Sequence, residues 1–136
     1  MPTAKLDAAV TVPGEDFSRV ALTAASVELL QKLRGIHGPL MFHQSGGCCD
    51  GSSPMCYPAG EFITGDSDVL LGVFDLDSPA TPEGRVEFWM SREQFNYWSH
   101  THLLVDVVQG RGSGFSVESP EGKRFLIRST LMDWPV

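Results

Sequence analysis

The sequence predicts a mainly β, α+β fold, a compact sandwich or partial barrel of about seven short strands with one longer N-terminal helix and one short helix. Three observations carry this. From residue 40 onward, short runs rich in Val, Ile, Phe and Leu alternate with Gly, Pro, Asp and Ser, the pattern of strands and the turns that join them. Apolar residues recur at helical spacing in only two places, near residues 23–34 and 91–99. A chain of 136 residues that is 42% hydrophobic can bury one core without disulfide staples.

Taken in order, residues 1–18 are small, polar and proline-containing with no sustained period, which predicts a loosely held segment ahead of a single β-rich domain over residues 19–136. Thr23 can cap a helix whose apolar stripe is Val27, Leu30 and Leu33, and Gly35 is the expected stop. The expected strands are Leu40–His43, Glu61–Thr64, Val69–Phe74, Arg85–Met90, His102–Val108, Phe115–Glu118 and Arg124–Arg128. Ser91-Arg92-Glu93-Gln94 has the form of a capping box, and Phe95 and Trp98 follow at helical spacing, so the short helix interrupts the strands there. The stretch Asp75 to Gly84, with Pro79 and Pro82, reads as a surface excursion.

Seventeen acidic against ten basic residues give a formal charge of −7, which repels phosphate backbones and anionic lipid, so neither nucleic acid nor membrane is an expected partner. No run approaches the length of an apolar membrane span, and the first residues lack a basic region followed by an apolar one. A cytoplasmic location is the expectation.

All three cysteines fall between Cys48 and Cys56, and a reducing compartment keeps such thiols reduced unless a metal or a catalytic cycle intervenes. Met41-Phe42-His43-Gln44-Ser45 reads as a strand entering Gly46-Gly47, where the backbone can bend sharply. That bend is what would let the adjacent Cys48 and Cys49 address one centre, since a continuous strand sends neighbours to opposite faces. Pro54 shapes a return that offers Cys56 as a third thiolate. Thiolates select zinc, copper(I), iron or iron-sulfur centres over magnesium or calcium. Three buried thiols filling core space, or a thiol nucleophile, are the competing readings.

His43 lies on the strand that enters the loop, separated from Gly46-Gly47 only by Gln44 and Ser45, and this makes it a candidate ligand; a histidine satisfied in the core is the plain alternative. His100 and His102 point to one face if the chain is extended at Thr101, and His100 is the second candidate imidazole. A helix-end His100 and a solvent-facing His102 are the competing reading. Asp50-Gly51 reads as a turn whose acid raises the pKa of nearby thiols unless a cation offsets it. No serine elbow or phosphate-binding loop is present, and Gly110-Arg111-Gly112-Ser113-Gly114 reads as a tight connection.

Three stretches together resemble a small bacterial family, domain of unknown function 779. They are Leu40-Met41-Phe42-His43-Gln44-Ser45-Gly46-Gly47-Cys48-Cys49-Asp50-Gly51-Ser52, Tyr97-Trp98-Ser99-His100-Thr101, and Asp106-Val107-Val108 with Gly110 to Ser116. The resemblance implies a partnership with an aldehyde dehydrogenase, beside which such members are often encoded. The order of helix, strand, Gly46-Gly47-Cys48 and Gly112-Ser113-Gly114-Phe115 more distantly resembles the A-type iron-sulfur carriers of HesB-like fold. That implies Cys48 as a cluster ligand, although the carriers' terminal cysteine pair is absent from Leu131-Met132-Asp133-Trp134-Pro135-Val136.

The expected function is therefore a metal-binding accessory protein of an aldehyde dehydrogenase. Its cofactor would be a transition metal ion or iron-sulfur centre, held by Cys48, Cys49 and Cys56 with His43 and His100, and self-association is compatible with this reading. The alternative is a small thiol-dependent enzyme in which Cys48 or Cys49 attacks an aldehyde or a disulfide.

Overall fold

The computed structural model describes residues 6–12, 14–15, 17–44, 54–60, 64–77, 84–98, 101–110 and 116–131, with the backbone alone at 97, 98, 130 and 131. Among the described residues the strands are β1 (Leu6–Asp7), β2 (Val20–Leu22), β3 (Leu40–Gln44), β4 (Met55–Pro58), β5 (Asp68–Asp75), β6 (Arg85–Ser91), β7 (Thr101–Gln109) and β8 (Lys123–Leu131). The helices are α1 (Ala24–His37) and α2 (Arg92–Trp98), and Ser119–Glu121 forms one 3-10 turn. No described helix is long and apolar enough to cross a membrane.

The strands form two four-stranded sheets, ordered β1-β2-β7-β8 and β4-β3-β6-β5. Each is mixed, because β2 runs parallel to β7 and β3 parallel to β6. The sheets enclose the core: Phe42 of β3 meets Phe125 of β8 edge-on at 4.9 Å and Phe88 of β6 at 5.5 Å. Aromatic pairs of this kind add about 0.5–1.5 kcal/mol beyond the area they bury.

Helix α1 begins where expected, with Thr23 Oγ1 accepting the Ser26 N–H at 3.2 Å and donating to Asp106 at 3.0 Å. It passes through Gly35 and stops at Gly38, whose φ of 82° and N–H bond to the Arg34 carbonyl end the last turn. Either glycine is a sufficient stop locally, but only the second adopts the positive φ that a side chain would resist. Ser91 does cap α2, accepting the Gln94 N–H at 3.2 Å.

Part of the segment expected to be loosely held is drawn into both sheets. Ala8 N–H bonds the Val20 carbonyl at 3.0 Å, Ala9 N–H the Val73 carbonyl at 2.7 Å, and Thr11 Oγ1 the Leu70 carbonyl at 2.7 Å. A Cβ on Gly72 would lie 2.5 Å from Ala8 Cβ, so glycine at the β5 bulge admits this close passage. On the other side, Ser116 and Val117 tie the β4 edge to the segment leading into β8: Cys56 N–H bonds Ser116 Oγ at 2.9 Å and Val117 N–H bonds the Cys56 carbonyl at 3.0 Å.

One expected strand needs correction. Ser116–Glu118 is a turn leading into the 3-10 turn, because the backbone bonds locally, Ser119 N–H to the Ser116 carbonyl at 3.1 Å; Phe115 lies outside the described residues. Thr64 is not in a strand and 61–63 lie outside the described residues. The antiparallel partner of β3 is β4, with Phe42 opposite Cys56 and His43 opposite Met55.

Candidate functional site

Parallel pairing of β3 and β6 places Gln44 and Ser91, their last residues, at one end of the sheet. Strands β4 and β5 run the other way, so Met55 and Asp68 begin at that same end. The chain thus departs for the cysteine loop, and returns from it, at the end of the sheet that holds Ser91 and Asp68.

Alternation along β3 then divides its side chains. Phe42 faces the core, while His43 shares the opposite face with Trp89 and Leu70, its neighbours across β6 and β5. His43 is nevertheless only 3% exposed, and its Nε2 lies 2.8 Å from Asp68 Oδ1. The second Asp68 oxygen accepts the Gly65 N–H at 3.0 Å. Burial acts to raise the Asp68 pKa, but the hydrogen bonds from His43 and Gly65 outweigh it and hold the carboxyl below its ordinary range. Beside it, Asp66, Ser67, Ser91, Arg92, Glu93 and Asn96 line an open hollow of about 440 Å³.

Cys56 lies on the other face, fully buried in the core cluster opposite Phe42. Burial, reinforced by Glu118, pushes its thiol well above the usual range. Ser116 Oγ, which accepts the Cys56 N–H, donates to Glu118 Oε1, and the other Glu118 oxygen accepts the Phe125 N–H at 3.4 Å. Burial raises the Glu118 pKa despite these bonds. Cys56, the expected third thiolate, faces inward with residue 42, as the β3–β4 register requires.

Cys48, Cys49 and His100 lie outside the described residues, as does the expectation that three sulfurs share one centre. His43 and Cys56 project from opposite faces and do not meet. His102 is half-buried on β7 opposite Thr130, and His37 is exposed at the end of α1. Among the described residues no three His, Cys, Asp or Glu side chains form a metal-binding group.

Sequence reasoning missed Asp68, Ser116 and Glu118. Asp68 carried a faint signal, an acid closing the Gly65-Asp66-Ser67-Asp68 turn immediately before an apolar strand. Glu118 carried none, since an acid at the end of an expected strand reads as solvent-facing.

No curated protein and no solved structure matches the chain. The profile of the Domain of unknown function (DUF779) matches residues 29–131. This span contains β3, the cysteine loop, Asp68 and Glu118, and the chain belongs to that family.

Proposed function

We propose that the protein binds a thiolate-preferring metal ion or an iron-sulfur centre at the end of β3, as a cytoplasmic accessory of an aldehyde dehydrogenase. Cys48 and Cys49 supply the sulfur ligands, His43 an imidazole, and His100 a further one, while Cys56 serves the core. The observation that carries this reading is the buried His43–Asp68 pair at 2.8 Å, with His43 on the strand that runs into the Gly-Gly-Cys-Cys loop. A carboxylate behind an imidazole is the usual support of a metal-bound histidine. Sulfur and imidazole donors suit zinc, copper or iron. The resemblance to A-type carriers favours iron-sulfur among them, and the partnership with the dehydrogenase rests on the family resemblance.

The same pair favours one alternative, a thiol-dependent enzyme in which His43, oriented by Asp68, takes the proton from Cys48 or Cys49. Metal analysis and an absorption spectrum after anaerobic purification separate the two. The metal reading expects bound metal that Cys48→Ser abolishes. Metal-free protein with one rapidly alkylated thiol overturns it in favour of the enzyme.

A further inference from the structure

We propose that Arg19 is a latch between the N-terminal segment and helix α2. Latched, it holds α2 in place as one wall of the open hollow beside Asp68. Released, it lets α2 and that wall open as a local unit while both sheets stay paired. The inference does not depend on what the proposed site binds.

Helix α2 is seven residues long, too short to persist without tertiary contacts. Its first turn is tied down by Arg92 N–H, which bonds the Ser67 carbonyl at 2.7 Å, and by the Ser91 cap. Further along, Phe95 packs against the core, and the Arg19 guanidinium lies over its ring, 5.0 Å from the centroid. Phe17 offers that cation a second ring at 5.3 Å. Arg19 is only 5% exposed, and a cation out of water gains more from aromatic faces than a solvated one. Its aim is fixed from both ends. Glu15 accepts from Nε at 2.6 Å and from Nη2 at 2.5 Å, a two-toothed bond that sets the guanidinium plane. At the other end the Arg19 carbonyl accepts the Leu103 N–H of β7 at 2.9 Å.

The segment carrying Glu15 and Phe17 runs from Ala9, which bridges to Val73 of β5, to Val20, where β2 begins. Neither anchor involves the guanidinium, so its departure from Phe95 costs no strand pairing. Helix α2 supplies Arg92, Glu93 and Asn96 to the lining of the hollow, whose shape therefore follows the position of α2. An element held by so few contacts belongs to the part of a native structure that opens at low free energy.

The test is native-state hydrogen exchange of the full chain, read at single amides by NMR over a range of low denaturant concentrations. In the wild type the α2 amides are expected to be protected, to exchange faster than those of β3 and β6, and to respond less to denaturant, the mark of an opening that exposes little surface. Arg19→Met, which keeps the stem and loses the charge, should speed α2 exchange about tenfold. Phe95→Leu, which leaves the ion pair intact, should do the same, and it gives the same reading if Arg19→Met does not fold. The double variant should add little to the larger single effect, because both changes remove one contact. Unprotected α2 amides in the wild type, or α2 amides that open only with β3 and β6, overturn the inference. So do unchanged α2 rates in a folded variant, or single effects that add in full.

Discussion

Two polar clusters sit back to back on neighbouring strands. His43 and Asp68 occupy the outer face of their sheet, where hydrogen bonds keep the acid ionised. Cys56, Ser116 and Glu118 occupy the inner side, where burial keeps both the thiol and the acid protonated more readily. Both contain residues of the kinds that catalyse reactions or bind metals. Only the first has a carboxylate poised to orient an imidazole on the strand that leads to the cysteines. The second joins β4 to the segment before β8, and its chemistry is that of a structural seam. Residue type alone does not separate the two clusters; their surroundings do, shifting the two acids in opposite directions.

The largest expected effect lies between the two. Phe42 packs on Phe88 and Phe125 and faces Cys56, so Phe42→Ala should cost about 3–5 kcal/mol in denaturant unfolding. A loss under about 1 kcal/mol, the range of a surface substitution, would mean that the sheets are not held together there.

Next, Glu118→Gln should change the pH dependence of stability. The folded pKa of Glu118 is raised, so its contribution is complete below the unfolded carboxylate range and is lost as pH rises through the folded value. The melting temperature of the wild type should carry that decline, and Glu118→Gln should remove it. Asp68 has the opposite sign: its contribution is present above the unfolded pKa and is lost as pH falls through the lowered folded value. Asp68→Asn should therefore lessen acid sensitivity, and parallel pH profiles for the two variants would erase the difference between the clusters.

The smallest effect is kinetic. Cys56 should resist alkylation in the native protein and react only on unfolding, because its thiol is buried and its pKa raised. Mass spectrometry of partly labelled protein reads this directly, and early labelling of Cys56 would place it with the reactive thiols after all.

Local pattern is enough to find α1, the Ser91 cap, and the cores of β3, β5, β6, β7 and β8, since each repeats its period over several residues. It is enough, too, to single out His43 and the cysteine loop by their glycines. Strands β1, β2 and β4 are only two to four residues long, too short to show a period, and they exist because a neighbouring strand offers hydrogen-bond partners. The same limit hides the seam: Ser116 and Glu118 look like a strand until the backbone turns to meet β4. The alternation of strand and turn, and the chemistry available near residue 43, are written in the chain and need no partner strand to be read. Which face each residue occupies, and hence that Asp68 meets His43 while Cys56 turns inward to Glu118, is decided by register between strands distant in sequence, because one residue of slip reverses every side chain.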